Sequence, residues 1–311
     1  MAKSSKARGV NLQMIAVKEK SNGLIKNKPS NIKVHGKAQS IMLRSVVWIA
    51  AALTMFVLIS LVVYILVKGV PNIRLDLFSL KYDSINCSLT PALINTVSMT
   101  LLALAIAVPF GVFSAIYLVE YAPRGNKLVS VIRITAETLT GIPSIVYGLF
   151  GNLMFVYALK MGLSMMSGAL TLSIMILPVI MRTTEEALIA VPDSYREGSF
   201  GLGAGKLRTV FRIILPSAIP GILSGIILST GRIVGETAAL IFTAGTVAKV
   251  ASLTGSGRTL AVHLYALWNE GLNTDKAYAT AVVILVIVLL LNFLSSAVAK
   301  RISKGKGEDN G

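Results

Sequence analysis

Cysteine and histidine are nearly missing from this 311-residue chain: Cys87 stands alone, and the two histidines, His35 and His263, lie far apart. A single cysteine excludes an intrachain disulfide and a cysteine-based metal cluster. Without a second imidazole nearby, zinc chemistry and a Cys-His nucleophile have no basis either. Acidic residues are scarce too, 14 against 30 lysines and arginines, which leaves a net charge of +16. A nucleic-acid surface gathers such cations on one face of a polar domain. Here they sit between long apolar segments, and no nucleic-acid partner is expected. A nucleotide loop is also missing. The run FGLGAGKLRTV, residues 200–210, leads three glycines into a lysine. Yet Phe200 stands where a P-loop needs its first glycine, Leu207 where it needs a hydroxyl, and Lys206 where a dinucleotide fingerprint needs its third glycine.

What the chain has in plenty is apolar surface: 54% hydrophobic residues and a mean hydropathy of +0.73. A helix crosses the hydrocarbon with about 20 mostly apolar residues. Six stretches qualify, at 45–67, 93–119, 137–159, 167–190, 215–242 and 279–299. The fold class expected is therefore all-α and integral to a membrane, with about six transmembrane helices. Gly141, Pro143, Gly148 and Gly151 interrupt the third stretch and Pro178 the fourth. Such breaks survive only where protein or a cavity satisfies the freed backbone groups, as along a transport pathway.

Lysine and arginine counts in the flanks give orientation. With the N-terminus inside, the cytoplasmic flanks hold 22 and the opposite side 7, Arg232 being left within a span. Both termini are expected in the cytoplasm, the first 40 residues reading as a tail because they lack the apolar core and cleavage site of a signal peptide. The segment between the fourth and fifth spans is then cytoplasmic as well.

Arg232 and Glu236 are the charged residues deepest in a span. Four apart, they share one face of a helix. An arginine at that depth is costly and faces the bundle interior or water, and its planar fork suits phosphate oxygens. Two readings stay open: an anion contact steadied by Glu236, or a self-neutralising pair that pins the fifth helix to a neighbour. Ser144 and Tyr147, beside the Pro143 break, offer hydroxyls and unwound amides to an oxyanion, or simply mark a kink. Arg133 and Glu137 are expected to pair at the surface. Glu185 and Glu186, adjacent and so pointing apart, are expected to solvate the end of the fourth helix. In the external segment His263 is expected at the surface, while Tyr265 and Trp268 suit an aromatic belt or a partner.

From Glu197 the chain reads EGSFGLGAGKLRTVFRIILP. This resembles the coupling-loop signature of binding-protein-dependent ABC importer permeases: Glu197 and two small residues, Gly198 and Ser199, then Gly203, then Ile213, Leu215 and Pro216. Gly198 and Ser199 stand where the signature has two alanines. The resemblance implies a helix, a glycine turn and a second helix that docks on an ATPase, with Pro216 in the first turn of the next helix. Arg208 and Arg212 would add charge complementarity there. VPFGVFSAIYLVEYAP (108–123), LTGIPSIVYGLFG (139–151) and STGRIVGETAALIFTAG (229–245) are similar to phosphate ABC permeases, most of all the PstA-type subunit, with a MetI-like transmembrane domain. A PstC-type subunit shares the Gly-Glu-Thr element that ends at Thr237.

The resemblance implies a type I ABC importer permease fold and a non-catalytic subunit that moves inorganic phosphate across the cytoplasmic membrane. Its pathway would draw on Arg232, Glu236, Thr237, Ser144 and Tyr147. The chain itself would hold no cofactor, ATP and magnesium belonging to the partner ATPase. Partners implied are a PstC-like second permease subunit, two copies of a PstB-like ATP-binding subunit, a PstS-like phosphate-binding protein outside, and membrane lipid. The organisation expected is a basic tail at 1–44, a first helix at 45–67, a permease domain at 90–299 with its coupling loop at 192–216, and a tail at 300–311. Permeases for sulfate, molybdate or phosphonate share the loop, and a secondary transporter or channel is the alternative from another class.

Overall fold

The computed structural model describes residues 36–123 and 125–304, so most of the expected N-terminal tail, His35 and the end of the C-terminal tail lie outside the described residues. The chain divides into two units, before and after Leu61–Val62. Described residues of the first belong to helix α1 (Gly36–Gly69), whose apolar side chains from Ile41 to Leu61 are exposed, as lipid contact requires.

The second unit continues with two short 3-10 turns, Val70–Asn72 and Leu75–Phe78, then α2 (Thr90–Ile116), α3 (Lys127–Thr140), α4 (Ser144–Gly151), α5 (Met165–Ile189), α6 (Asp193–Gly201), α7 (Lys206–Thr209), α8 (Leu215–Gly235), α9 (Ala238–Thr243), α10 (Leu260–Glu270) and α11 (Thr274–Lys304). Wide i→i+5 turns extend α2 through Tyr117–Tyr121, extend α4 through Asn152–Ala158, and join α7 to α8 through Val210–Ile214. Among the described residues five helices are long and apolar enough to span a membrane: Ser40–Asn72, Thr90–Tyr121, Met165–Ile189, Lys206–Gly235 and Thr274–Leu294. The sixth candidate is a bent pair, Lys127–Thr140 with Ser144–Ala158, turned by 104°.

That bend corrects the single stretch expected at 137–159. Pro143 disfavours helical backbone at Ile142, and Gly141 closes α3, so the chain turns before Ser144 restarts it. The fifth stretch is corrected as well: its helix begins at Lys206 and ends at Gly235 instead of running to 242. Pro216 stands in the first turn of α8, as expected, with the wide turn Val210–Ile214 joining that helix to α7. The wide turn just before it accommodates a residue with no N–H to give.

α5 is the hub, its span window 67% buried where the other long helices reach 33% at most. One core joins Met99, Ala103 and Ala107 of α2 to Leu172, Met175, Ile176 and Ile180 of α5 and to Ile233 and Leu240. A second joins Ala115 and Ile116 to Met181, Leu188, Val210, Ile214 and Ile222. At one end, residues 244–259 fold back over the bundle. Thr243, Gly255 and Leu253 offer carbonyls to the amides of Ser164, Met165 and Met166, supplying acceptors at the start of α5. Buried Asn95 of α2 holds the same segment through Lys249 O, Arg258 O and Ala251 N, at 2.8, 3.1 and 3.0 Å.

Candidate functional site

Glu236 is where α8 stops, its backbone extended at φ −74° and ψ 127°. Its buried carboxylate accepts from the amide of Ala239 at 3.1 Å, which caps α9. A carboxylate there meets orphan amides and the positive end of the helix dipole. The expected Arg232–Glu236 ion pair is therefore not formed: with the helix ended at Gly235, a spacing of four no longer places both side chains on one face. Arg232 sits in the last turn of α8, half-buried, and forms no ion pair among the described residues.

Tyr147 has a different task from the one expected. It is buried, and its hydroxyl donates to Leu139 O at 2.8 Å, tying α4 to the last turn of α3 across the bend. The phenol thus adds a second hydrogen bond to a helix-end carbonyl that already accepts from the Ile142 amide at 3.1 Å, although Arg232 lies within its electrostatic reach. Ser144 opens α4, half-buried, its hydroxyl without a hydrogen-bond partner among the described residues. Thr237 occupies the break itself and makes only a long 3.5 Å contact to Gly235 O.

Two contacts set these breaks side by side. A Cβ on Gly148 would stand 2.8 Å from the Ala239 Cα, and Asn152 donates to Phe242 O at 2.6 Å. Residue numbers rise together along the two helices, so α4 and α9 run parallel, with α9 starting about one turn beyond Ser144. Glu236 fills the α9 terminus, which leaves Arg232 without a carboxylate partner among the described residues.

The segment between α5 and α8 is built as expected in its turn. Gly203 has φ +80°, its amide bonds Phe200 O at 2.9 Å, and the amide of Ala204 bonds Ser199 O at 3.1 Å. This is a Schellman C-cap, which needs a left-handed residue. Buried Ser199 meets Thr209 through their hydroxyls at 2.8 Å, locking α6 to α7. Glu197 and Gly198 stay exposed, and so do Tyr195, Phe200, Leu202 and Leu207, an apolar group at the tip. Ile213, Leu215 and Pro216 are half-buried where the helix enters the bundle.

Arg196 was missed in the sequence. Its Nε and Nη2 donate to Glu120 at 3.1 and 2.7 Å, its Nη1 to Asp193 and Val191 O, and its Nη2 also to Leu188 O. One guanidinium thereby joins α6 to the ends of α2 and α5. Lys206 adds a cation–π contact, 5.2 Å from the Tyr121 ring. Nothing local signals an Arg196–Glu120 pair 76 positions apart.

Three further expectations change. Arg133 pairs with Glu185, and Arg182 with Glu137 and Glu186, so the Arg133–Glu137 pair gives way to a network between α3 and α5. Glu185 is buried rather than solvating a helix end. His263 is fully buried in α10, edge-on to Tyr82. Burial first, and Arg258 second, hold its imidazole down to about 3.

Long apolar helices, broken spans and a docking-shaped loop together define a multi-pass membrane permease subunit. The chain belongs to the family of binding-protein-dependent transport system inner membrane components, which matches residues 107–306. A probable ABC transporter permease protein of Bacillus subtilis, YqgI, is 34% identical over 263 residues, covering 78% of this chain and 89% of that one. The phosphate transport system permease protein PstA of Pasteurella multocida is 33% identical over 277 residues, 86% of this chain and 96% of that one. The Mycobacterium tuberculosis protein PstA 1 is 42% identical over 154 residues, half of each chain. Among solved structures, the MetNI methionine ABC transporter matches with TM-score 0.58 and 19% identity, over 71% of this chain and 99% of that one. A bacterial alginate ABC transporter reaches TM-score 0.64 at 15% identity, over 86% and 96%. The fold is that of type I ABC importer permeases.

Proposed function

We propose that this chain is the PstA-type permease subunit of an ATP-driven importer of inorganic phosphate. The observation that carries the substrate is the 33% identity to a PstA protein along 96% of its length; the geometry supplies chemistry that fits. Arg232, without an ion pair of its own among the described residues, offers a bidentate fork to two phosphate oxygens. The N-terminus of α4 and the Ser144 and Thr237 hydroxyls lie at the adjoining breaks, an arrangement of discontinuous helices suited to an anion.

Both termini and the loop at 192–216 lie in the cytoplasm, in line with the lysine and arginine asymmetry. The exposed Tyr195, Phe200, Leu202 and Leu207 dock on a PstB-like ATPase, which holds ATP and magnesium. A PstC-like subunit completes the pore, and a PstS-like protein delivers phosphate from outside. Lys206 to Gly235 is one helix. At 1.5 Å per residue, about 40 Å of it separates the docking turn from Arg232. Movement at the loop reaches the break at Glu236 through a single lever, while Arg196 carries it to α2 and α5.

The test is uptake of labelled phosphate into proteoliposomes holding the four-component complex. Arg232→Gln should assemble and dock its ATPase yet lose most uptake, with Arg232→Lys in between. Wild-type uptake by assembled Arg232→Gln would refute the pathway role. ATPase stimulation by a sulfate-binding protein, and not by a phosphate-binding one, would move the substrate to another oxyanion.

A further inference from the structure

Away from Arg232, an open cavity of about 600 Å³ lies where the ends of α2 and α5 meet the start of α3. Its volume falls within the range of small-ligand sites, about 300–1,000 Å³. Leu118, Val129 and Ile189 make its walls apolar, while Lys127, Ser130 and Arg133 bring polar groups to it. Among the described residues no carboxylate lines it. Carboxylates of the adjoining helices are engaged already, Glu185 by Arg133 Nη2 and Glu120 by Arg196. Lys127 is exposed and forms no ion pair among the described residues.

The cavity stands at the edge of the apolar layer. The α2 span ends at Tyr121, and Tyr117 and Tyr121 are exposed there, as tyrosines are at a membrane interface. Ala122 and Pro123, next in the chain, line the cavity. With 14 residues, α3 is about 21 Å long, too short to cross about 30 Å of hydrocarbon. It packs inward through Val129 and Ala136 and leaves Leu128, Val131 and Ile134 58–61% exposed. At about 100° per residue, Ser130 falls between Arg133 and this apolar side, and Lys127 falls at its edge. Cations and an uncovered apolar stripe thus adjoin on one short helix.

We infer that this cavity, together with the Leu128, Val131 and Ile134 side of α3, binds an anionic phospholipid. The phosphate meets Lys127, Ser130 and the part of the Arg133 guanidinium that Glu185 leaves free, and an acyl chain covers the apolar side. Free phosphate, or an acidic segment of a soluble protein, would answer the cations and leave the apolar side bare. A zwitterionic lipid would cover the apolar side but bring its own ammonium beside Lys127. An anionic phospholipid joins the two chemistries in one molecule, and each basic residue near such a surface adds to its binding. The site goes beyond the transport reading, because neither Arg232 nor the cargo takes part in it.

The experiment uses the assembled permease–ATPase complex in nanodiscs that carry a photoactivatable phosphatidylglycerol or, separately, the matching phosphatidylcholine, and mass spectrometry locates the labelled peptides. Phosphatidylglycerol should label residues 118–134 well above phosphatidylcholine. Lys127→Gln should lower that labelling about fivefold, and Lys127→Glu more than tenfold. Ser130→Trp keeps the charge, fills the mouth of the cavity and should lower labelling as well. Lys160→Gln, just before α5 begins at the other end of the bundle, should leave it unchanged. Equal labelling by the two lipids, or unchanged labelling in Lys127→Glu and Ser130→Trp, would overturn the inference. So would labelling abolished by excess inorganic phosphate, which would mark a free-anion site, or labelling that appears only once the ATPase is stripped away, which would mark a protein contact.

Discussion

Arg196→Ala is expected to be the most damaging single truncation at the loop end of the bundle, and the reason is what it leaves behind. The Glu120 side chain is 8% exposed and takes two hydrogen bonds from Arg196, at 3.1 and 2.7 Å. Removing the arginine strands a carboxylate with no other ion pair among the described residues, a loss of about 3–5 kcal/mol. Asp193 is largely exposed, and its share is about 0.5 kcal/mol. Glu120→Gln should cost less, about 1–2 kcal/mol, because the guanidinium keeps Asp193 and the carbonyls of Leu188 and Val191. Replacing both partners with Arg196→Met and Glu120→Leu removes the stranded charge, so this double variant should be more stable than the losses of the Arg196→Met and Glu120→Leu single variants added together. The expected coupling is about 2 kcal/mol. Denaturant unfolding of the purified subunit in detergent reads the cycle, and phosphate moved per ATP in proteoliposomes reads the mechanism. Additive losses would show that the two side chains do not interact. A double variant with wild-type phosphate-to-ATP ratio would show that the clamp carries no movement from α6.

Acid should destabilise the fold through His263. Its folded pKa of about 3 lies below the unfolded value, so the unfolded chain takes the proton first and stability falls as pH drops from 6.5 toward 3. Between pH 7.5 and 5 the loss is about 2 kcal/mol. The groups facing the imidazole are Arg258, Tyr82 and the Cys87 backbone, and His263→Leu should remove this slope from denaturant midpoints measured across that range. Gly203→Ala adds a Cβ that meets open space but forces φ +80° on a chiral residue, costing about 1–2 kcal/mol; Gly203→Asn should cost less, and equal melting temperatures for all three would remove the need for a left-handed turn. Gly148→Ala drives a Cβ against the Ala239 backbone, which cannot swing aside as a side chain can, for about 1–3 kcal/mol. Thermal unfolding checks the cost, and a neutral result would mean that α4 and α9 do not pack this closely.

Five long spans were legible because an apolar run of that length has one outcome in a bilayer. The turn at Gly203 was legible for a local reason: a Schellman cap is written within a few residues, and the glycine stands at its left-handed position. The third span was harder. Gly141 and Pro143 announce a break, but the 104° angle is set by where α4 finds packing, against Ala239 and Phe242 about 90 positions later. His263 was misplaced because a histidine between two spans reads as loop. In the fold, Leu260 N bonds Thr96 of α2 at 2.9 Å and draws the start of α10 into the interior. The Arg232–Glu236 spacing failed for a related reason. Four residues put two side chains on one face only while the helix continues, and here Gly235 ends it.

That failure also bears on the proposed anion path, where a carboxylate follows Arg232 in the chain. A glutamate paired to Arg232 would satisfy the guanidinium and compete with phosphate for its fork. Bonded to the Ala239 amide instead, Glu236 neutralises the α9 terminus, which would otherwise be a second attraction for the anion. It leaves Arg232 as one unpaired cation among the described residues of the break. A transported ion must be held well enough to enter and loosely enough to leave, and in the proposed path one fork, without a full ring of donors, would meet that condition. Glu236→Gln tests the division of labour. The amide oxygen can still accept from Ala239, so the break should keep its shape, while loss of the negative charge strengthens the local pull on phosphate. The expected result is tighter phosphate binding with slower turnover. Weaker binding would mean that Glu236 supports Arg232 directly.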